Sequence, residues 1–115
     1  MSRHIHPNDA PDVLTISFDG YLGADPGKAS AKAVAERLRE GPKTLVFEVS
    51  KMRGYHRAAR YSWQVTLWPL RANIREIVVV GGNKIITMGA SVIAMFLGVP
   101  MTKHQPNPPT QPAGT

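Results

Sequence analysis

The sequence predicts a single small α/β domain built on a mostly parallel sheet of about four strands with βα-superhelix crossovers. Three observations carry this prediction. Short segments rich in β-branched residues alternate with segments of helical periodicity, and glycine or proline separates most of them. The connections are short, as βα units require. The 115 residues suffice for one hydrophobic core and are too few for two.

Composition narrows the classes of function. The chain has a formal net charge of +6 at pH 7, which favours anionic partners. It contains no cysteine, so disulfides, iron–sulfur clusters and thiol catalysis are excluded and a reducing compartment is favoured. The first residues contain no apolar run of the kind found in a signal peptide. The predicted location is therefore the cytoplasm.

The chain divides into three parts. Residues 1–12 lack periodicity and are predicted to be a flexible N-terminal tail, residues 13–102 form the α/β domain, and residues 103–115 form a proline-rich, disordered C-terminal tail. His4 and His6 would share one face of an extended segment, but no third ligand follows at a suitable spacing. No metal site and no cofactor are predicted.

Residues 13–22 alternate between apolar and polar side chains, which is typical of a strand with one side facing solvent. Leu14, Ile16 and Phe18 are expected to point to the core. Gly20 interrupts the alternation and predicts a β-bulge.

The first helix is expected to have Asp25 as its N-cap and Pro26 at its first position, and to end before the Gly41-Pro42 turn. Its apolar residues recur at helical spacing and form one narrow stripe: Ala31, Val34, Ala35 and Leu38. This pattern predicts a surface helix that packs closely on the sheet.

The second strand is predicted over residues 44–49. Glu48, near its end, is assigned a structural hydrogen-bonding role, because no second acid or histidine is placed to act with it. Residues 51–56 follow as a basic turn that contains no acid.

The second helix is predicted from Arg57 to Leu67, and Pro69 should end it near Trp68. Two neighbouring apolar stripes run along it: Ala59, Trp63, Leu67 and Leu70 form one, and Ala58, Tyr61, Val65 and Trp68 form the other. A helix that is apolar over so much of its circumference is expected to pack mainly into the core and to leave some aromatic surface exposed.

Residues 75–80 form a run rich in β-branched side chains and predict a strand that is buried on both faces. The turn after it offers backbone amides and one cation to an anion through Gly81, Gly82, Asn83 and Lys84. The turn matches neither the dinucleotide-binding fingerprint nor the phosphate-loop motif. A plain βα turn is therefore preferred, and weak anion binding is the alternative.

Residues 85–101 carry no charged side chain. They predict a buried helix over residues 87–97, whose inward residues are Met88, Val92, Met95 and Phe96. The alternative is a helix that contacts a second copy of the chain or a membrane surface.

The chain resembles the STAS superfamily, the domain of anti-sigma-factor antagonists and of sulfate-transporter tails. The likeness is greatest to small stand-alone bacterial members with a tryptophan-bearing second helix. It covers residues 13–102 and rests on the strand before Gly20-Tyr21-Leu22, on residues 45–50, on residues 77–81 and on Phe96-Leu97-Gly98-Val99. The resemblance implies a βα-superhelix fold and a role in protein–protein regulation.

Phosphorylatable members of that superfamily have an Asp-Leu-Ser strand end and then Asp-Ser-Ser-Gly at the start of the next helix, where a partner kinase phosphorylates the second serine. Glu48-Val49-Ser50 resembles the first element. Counted without a gap, the second element falls on His56-Arg57-Ala58-Ala59, so Ala58 stands in place of the phosphoacceptor. Ser62 lies one turn further on. The resemblance therefore implies a STAS-like module without that switch.

The leading hypothesis for function is a non-enzymatic protein-interaction or regulatory domain, whose partner is another protein or, as an option, a second copy of the chain. The expected partner-binding residues are Arg53, Tyr55, His56, Arg57, Ala58, Arg60 and Trp68. The first alternative is a Sec14-like domain that binds a lipid or an anionic ligand. The second is weak nucleic-acid binding through the basic turn. An enzyme is not predicted, because the cationic neighbours of His56 suit it poorly to proton transfer.

Overall fold

The computed structural model describes residues 2–5 and 12–104. Strands and helices alternate along this part of the chain. The elements in order are β1 (Ser2–Ile5), β2 (Val13–Leu22), α1 (Ala24–Leu38), β3 (Lys43–Tyr55), α2 (Arg57–Leu67), a 3-10 helix (Trp68–Asn73), β4 (Ile74–Val80), α3 (Lys84–Leu97) and β5 (Met101–His104). The predicted α/β class is confirmed.

The five strands form one sheet in the order β1-β2-β3-β4-β5. β1 is antiparallel to β2, whereas β2, β3, β4 and β5 are parallel to one another. The predicted parallel sheet of about four strands is thus confirmed. Because the parallel strands follow one another in sequence order, crossovers of the usual hand place α1, α2 and α3 on the same face of the sheet.

The hydrophobic core lies between this face and the helices. Residues that lie side by side in the register are buried together: Leu14 with Leu45 and Ile77, and Ile16 with Phe47 and Val79. The alternate row, Thr15, Val46 and Val78, is only half-buried. The prediction that β4 is buried on both faces is therefore wrong, because no helix of the described residues covers the second face of the sheet.

Both ends of the domain extend further than predicted. Ser2–Ile5 form β1, which pairs with residues 16–19 of β2, so this part of the predicted N-terminal tail belongs to the sheet. Lys103 and His104 lie in β5 and pair with β4. Each added strand has four residues, which is too short for a periodic signal. The remaining tail residues, 1, 6–11 and 105–115, lie outside the described residues.

The predicted basic turn is also a strand. β3 runs on to Tyr55, and Lys51, Met52, Gly54 and Tyr55 pair with residues 19–22 of β2. The register shifts near Gly20, where the bulge was predicted. The extension forms because β2 continues beside it and offers its backbone groups for pairing.

The bounds of the helices agree with the sequence prediction better than their buried faces do. α2 has the predicted bounds and changes to a 3-10 helix at Trp68, before Pro69. α1 begins one residue after Gly23, so Asp25 lies in its first turn and is not its N-cap. The apolar stripe of α1 is buried as predicted.

The predicted inward face of α3 is wrong. Met88, Val92, Met95 and Phe96 are exposed, and the buried residues are Ile86, Gly89, Ala90, Ile93, Ala94 and Leu97. The buried side contains a glycine and two alanines, and these small residues let the helix approach the sheet closely. Within the described residues, no helix is long and apolar enough to cross a membrane.

Candidate functional site

The carboxyl ends of the parallel strands and the amino ends of the three helices lie at the same edge of the sheet, which is the usual place for a site in such folds. β2 and β3 end side by side here, with Leu22 opposite Tyr55. The backbone N–H of His56 donates to the carbonyl of Leu22 at 2.9 Å and fixes the start of α2 against the end of β2. We call this the carboxyl edge.

Four cations lie at this edge, where β3 ends and α2 begins: Lys51, Arg53, Arg57 and Arg60. We call them the basic edge. Within residues 12–104, none of the four forms an ion pair. The first turn of α2 contains no acid. The positive end of the helix dipole therefore adds to the charge of the side chains, and the surface favours an anionic partner.

His56 is the N-cap of α2. Its Nδ1 atom accepts a hydrogen bond from the backbone N–H of Ala58 at 3.0 Å. An imidazole thus occupies a position usually taken by serine, threonine, aspartate or asparagine. Ala58 lies in the first turn, where the STAS resemblance places the phosphoacceptor. Ser62 lies one turn further along the helix and is half-buried.

Arg60 points inward from the basic edge. It lines a small cavity of about 50 Å³ between the sheet, α2 and α3, together with the rings of Phe18, Phe47 and Trp63. The Nε atom of Arg60 is buried and has no hydrogen-bond partner within the described residues. A cavity with apolar walls and one free N–H donor can accept a small apolar group that carries an anionic or acceptor atom.

Tyr55 closes one side of the same cavity. Its ring lies against the backbone of α3, where a Cβ atom at position 89 would come within 2.8 Å of it. Glycine at this position therefore permits Tyr55 to cover the first turns of α3. Tyr55 and Arg60 both line this cavity.

Glu48 has the structural partner that was expected of it. Its Oε2 atom accepts a hydrogen bond from Ser50 Oγ at 2.6 Å. Both residues lie on the face of β3 that the helices do not cover. The bond holds the two side chains of the Glu48-Val49-Ser50 element to each other.

The glycine turn lies at the neighbouring end of β4. Gly81 has φ +76° and sits so close to Ser50 that a Cβ atom would lie 2.7 Å from the serine Cβ. Gly81, Gly82, Asn83 and Lys84 line a polar cleft of about 290 Å³, together with Lys103 and His104 of β5. These last two residues were assigned to the tail by sequence.

Two amides of this turn are already bonded. The N–H of Gly81 donates to the carbonyl of His104 at 2.9 Å, and the side chain of Asn83 accepts from the N–H of Ile86 at 2.9 Å. An anion would therefore find fewer free donors than a phosphate loop provides. Anion binding at this turn stays a prediction.

Trp68 lies apart from the other predicted partner-binding residues, because α2 separates it from the carboxyl edge. Its ring packs against Phe96 of α3, with ring centroids 5.1 Å apart. The guanidinium of Arg71 lies 3.7 Å above the Trp68 ring, and Arg71 Nη1 donates to the Trp68 carbonyl at 2.6 Å. Sequence reasoning missed Arg71, because nothing local shows that it folds back over Trp68.

Trp68 belongs instead to an exposed apolar surface on two neighbouring helices. Its members are Tyr61, Val65 and Trp68 along α2 and the 3-10 helix, and Ile85, Met88, Val92, Met95 and Phe96 on α3. We call this the apolar helix face. The exposed second stripe of α2 was predicted, whereas the exposed stripe of α3 was expected to be buried.

No metal site is found among the residues whose side chains the structure describes: no three His, Cys, Asp or Glu side chains come together there. The site is therefore described by three features alone. They are the basic edge, the cavity beneath Arg60 and the apolar helix face.

Comparison with known proteins identifies the fold. A crystal structure of an uncharacterized protein of the DUF3478 family from Shewanella loihica PV-4, described as having a SpoIIAA-like fold, superposes with a TM-score of 0.65. The two sequences are 12% identical, and the match covers 88% of this chain and 84% of the other. No protein-family model matches the sequence, and no curated protein matches it significantly.

This similarity defines the domain as one with a SpoIIAA-like, and hence STAS-like, fold. The fold that the sequence resemblance implied is confirmed.

Proposed function

We propose that this protein is a non-enzymatic interaction domain that binds an acidic surface of another protein through the basic edge. The observation that carries the proposal is that its four cations, which lie on the last residues of β3 and the first turn of α2, form no ion pair within residues 12–104. Unpaired like charges at a helix N-terminus destabilise an isolated domain. An acidic partner removes that cost. Absence of cysteine supports a cytoplasmic location.

The domain is proposed to bind without a phosphorylation switch at the start of α2. His56 supplies the N-cap and Ala58 has no hydroxyl group. Arg57 adjoins Ala58, the position at which a phosphoserine would otherwise bring negative charge. The surface therefore stays cationic, and partner binding is constitutive with respect to this position.

The experiment is affinity capture from a lysate of the source organism, with and without nuclease treatment, compared among three proteins. They are the wild type, the variant Arg53→Glu/Arg57→Glu, and the matched control Lys28→Glu/Lys32→Glu on the exposed side of α1. Both variants change the net charge equally. The amount of each protein that the wild type and the control both retain should be at least about tenfold lower with the basic-edge variant.

Equal retention by both variants, or retention that disappears after nuclease treatment, contradicts the proposal. The second result would favour nucleic acid as the partner, since phosphate backbones bind cationic surfaces without sequence specificity.

A second candidate function is favoured by the cavity beneath Arg60, whose walls are apolar and whose buried Nε donor is unpartnered. These features suit a small ligand with an apolar tail and a carboxylate. The cavity volume of about 50 Å³ holds only a few carbon atoms, since a cavity of about 150 Å³ is needed for benzene. A short-chain carboxylate therefore fits better than a whole lipid.

Titration with butyrate tests this candidate. In a Trp68→Phe background the remaining tryptophan is Trp63, which lines the cavity. Saturable change in its fluorescence, lost in Arg60→Gln and in the cavity-filling variant Ala90→Leu, supports ligand binding. A flat titration with the parent protein contradicts it.

A further inference from the structure

The apolar helix face carries no function in the proposal above, yet it contains eight of the nine large apolar side chains that are exposed among the described residues. Its eight side chains are between 37% and 78% exposed. Contact between Trp68 and Phe96 joins the stripe of α2 to the stripe of α3. The two stripes therefore meet at the carboxyl ends of their helices.

The apolar helix face has a larger apolar area than the surface patches of a typical monomer. With about 150–250 Å² for a fully exposed aromatic side chain and less for an aliphatic one, the exposed areas of the eight side chains add up to roughly 800 Å² over the two helices. The largest apolar patch of a typical monomer is about 300–600 Å². A standard protein interface takes about 800 Å² from each partner. The face has the area of one complete half-interface.

We propose that the apolar helix face binds the same face of a second copy of this chain and forms a two-fold symmetric dimer. In a two-fold interface one patch meets itself, so it needs no complementary charges on a different surface. The stripe of α3 satisfies this condition, because residues 85–101 contain no charged side chain. Two chains of net charge +6 repel each other less when the uncharged stripe of α3 forms the centre of the contact and Arg71, over Trp68, lies at its margin.

A segment of this chain or a membrane surface would match the apolar helix face less well than a second copy does. Residues 6–11 and 105–115 contain no large apolar side chain that could cover the face from within this sequence. A helix that lies on a membrane surface is rich in lysine and arginine beside its apolar stripe. α3 offers only Lys84, and Arg71 is held over Trp68.

The dimer interface is separate from the basic edge, and the two proposals fail independently. Met88 and Met95 lie on the exposed side of α3, so changing them removes few core contacts. Ala29→Lys, at an exposed position of α1, is a control that adds one positive charge outside the face. Circular dichroism verifies the fold of each variant.

Sedimentation equilibrium of the full chain tests the proposal. The wild type and Ala29→Lys should be dimers. Met88→Lys and Met95→Lys should each raise the dimer dissociation constant at least about 30-fold, as expected for central interface residues. If the lysine variants do not fold, Met88→Gln and Met95→Gln replace them under the same criterion.

A monomeric wild type, or folded variants that dimerise as tightly as the wild type, overturns the proposal. A monomer that binds phosphatidylcholine vesicles through this face would assign the surface to a membrane and equally overturn self-association.

Discussion

The imidazole of His56 caps α2 by accepting a hydrogen bond from the N–H of Ala58, 3.0 Å from its Nδ1 atom. This bond satisfies one of the free amides at the start of a helix whose first turn contains no acid. His56→Ala should therefore lower the free energy of unfolding by about 1 kcal/mol, and His56→Ser should largely restore it. Urea denaturation measures both. Equal stability of His56→Ala and the wild type would show that the cap is not used in solution.

A carboxylate at position 58 tests the electrostatics of the same helix end. Ala58→Asp places a negative charge near the helix dipole and Arg57, so stability should rise by about 0.5 kcal/mol. The same charge weakens the attraction of the basic edge for an acidic partner, so capture should decrease. Ala58→Asn is the uncharged control and should leave capture unchanged. Equal capture by the aspartate and asparagine variants would contradict a role for charge at this site.

Close contact between α1 and α2 depends on Gly27. A Cβ atom at this position would lie 2.3 Å from the Cβ of Ala59, with the α2 backbone directly behind it. Alanine ordinarily stabilises a helix by about 1 kcal/mol relative to glycine. Here the added methyl group overpacks the contact between the two helices. Gly27→Ala should therefore destabilise the domain by about 1–3 kcal/mol.

The control for this prediction is Gly23→Ala. Gly23 is the N-cap of α1, its φ is −76° and an added Cβ meets only Pro26 at 3.7 Å, so the substitution adds no clash and should cost less than about 1 kcal/mol, the amount by which alanine is the poorer N-cap. Thermal denaturation of the two variants gives the comparison. A stabilised Gly27→Ala variant would show that the helices pack less closely than described.

The indole of Trp63 is fixed by a buried hydrogen bond. Its Nε1 atom donates to Ser30 Oγ at 3.2 Å, and Ser30 donates to the carbonyl of Gly27 at 3.0 Å. Ser30→Ala leaves the indole N–H without this acceptor and should cost about 1–3 kcal/mol of stability. The cost should shrink when Trp63 is phenylalanine, which a double-mutant cycle measures. An equal cost in both backgrounds would show that the bond contributes nothing.

Local periodicity predicted those parts of the fold that one segment determines by itself. The alternation over Val13–Leu22, the bulge at Gly20 and the end of α2 before Pro69 follow from side-chain pattern and backbone chemistry. The extension of β3 was missed because Lys51, Arg53 and Gly54 have low strand propensity. It forms because β2 continues to Leu22 beside it and pairs with it.

The orientation of α3 was not predictable from hydropathy. Both of its faces are apolar, so the period of the pattern is the same whichever face is buried. Side-chain volume determines which face of α3 is buried. Gly89, Ala90 and Ala94 fit against the sheet, whereas Met88 and Met95 do not. The sequence signal was a row of small residues at helical spacing, which indicates close packing.

The sequence could predict only the part of the candidate site that one continuous segment forms. Arg53, Tyr55, His56, Arg57, Ala58 and Arg60 are close in sequence and stay close in the fold. Trp68 is only eight residues beyond Arg60 but lies at the other end of α2, beside Phe96. Contacts between elements, such as Arg60 with the cavity, required the fold.

Native mass spectrometry of freshly purified protein tests the central claim most directly, namely that this domain acts through protein contacts and not as a carrier of a small molecule. We expect a mass of two 12.6 kDa chains with nothing added. A chain that retains a stoichiometric small-molecule mass would contradict the claim and make the cavity beneath Arg60 the functional site.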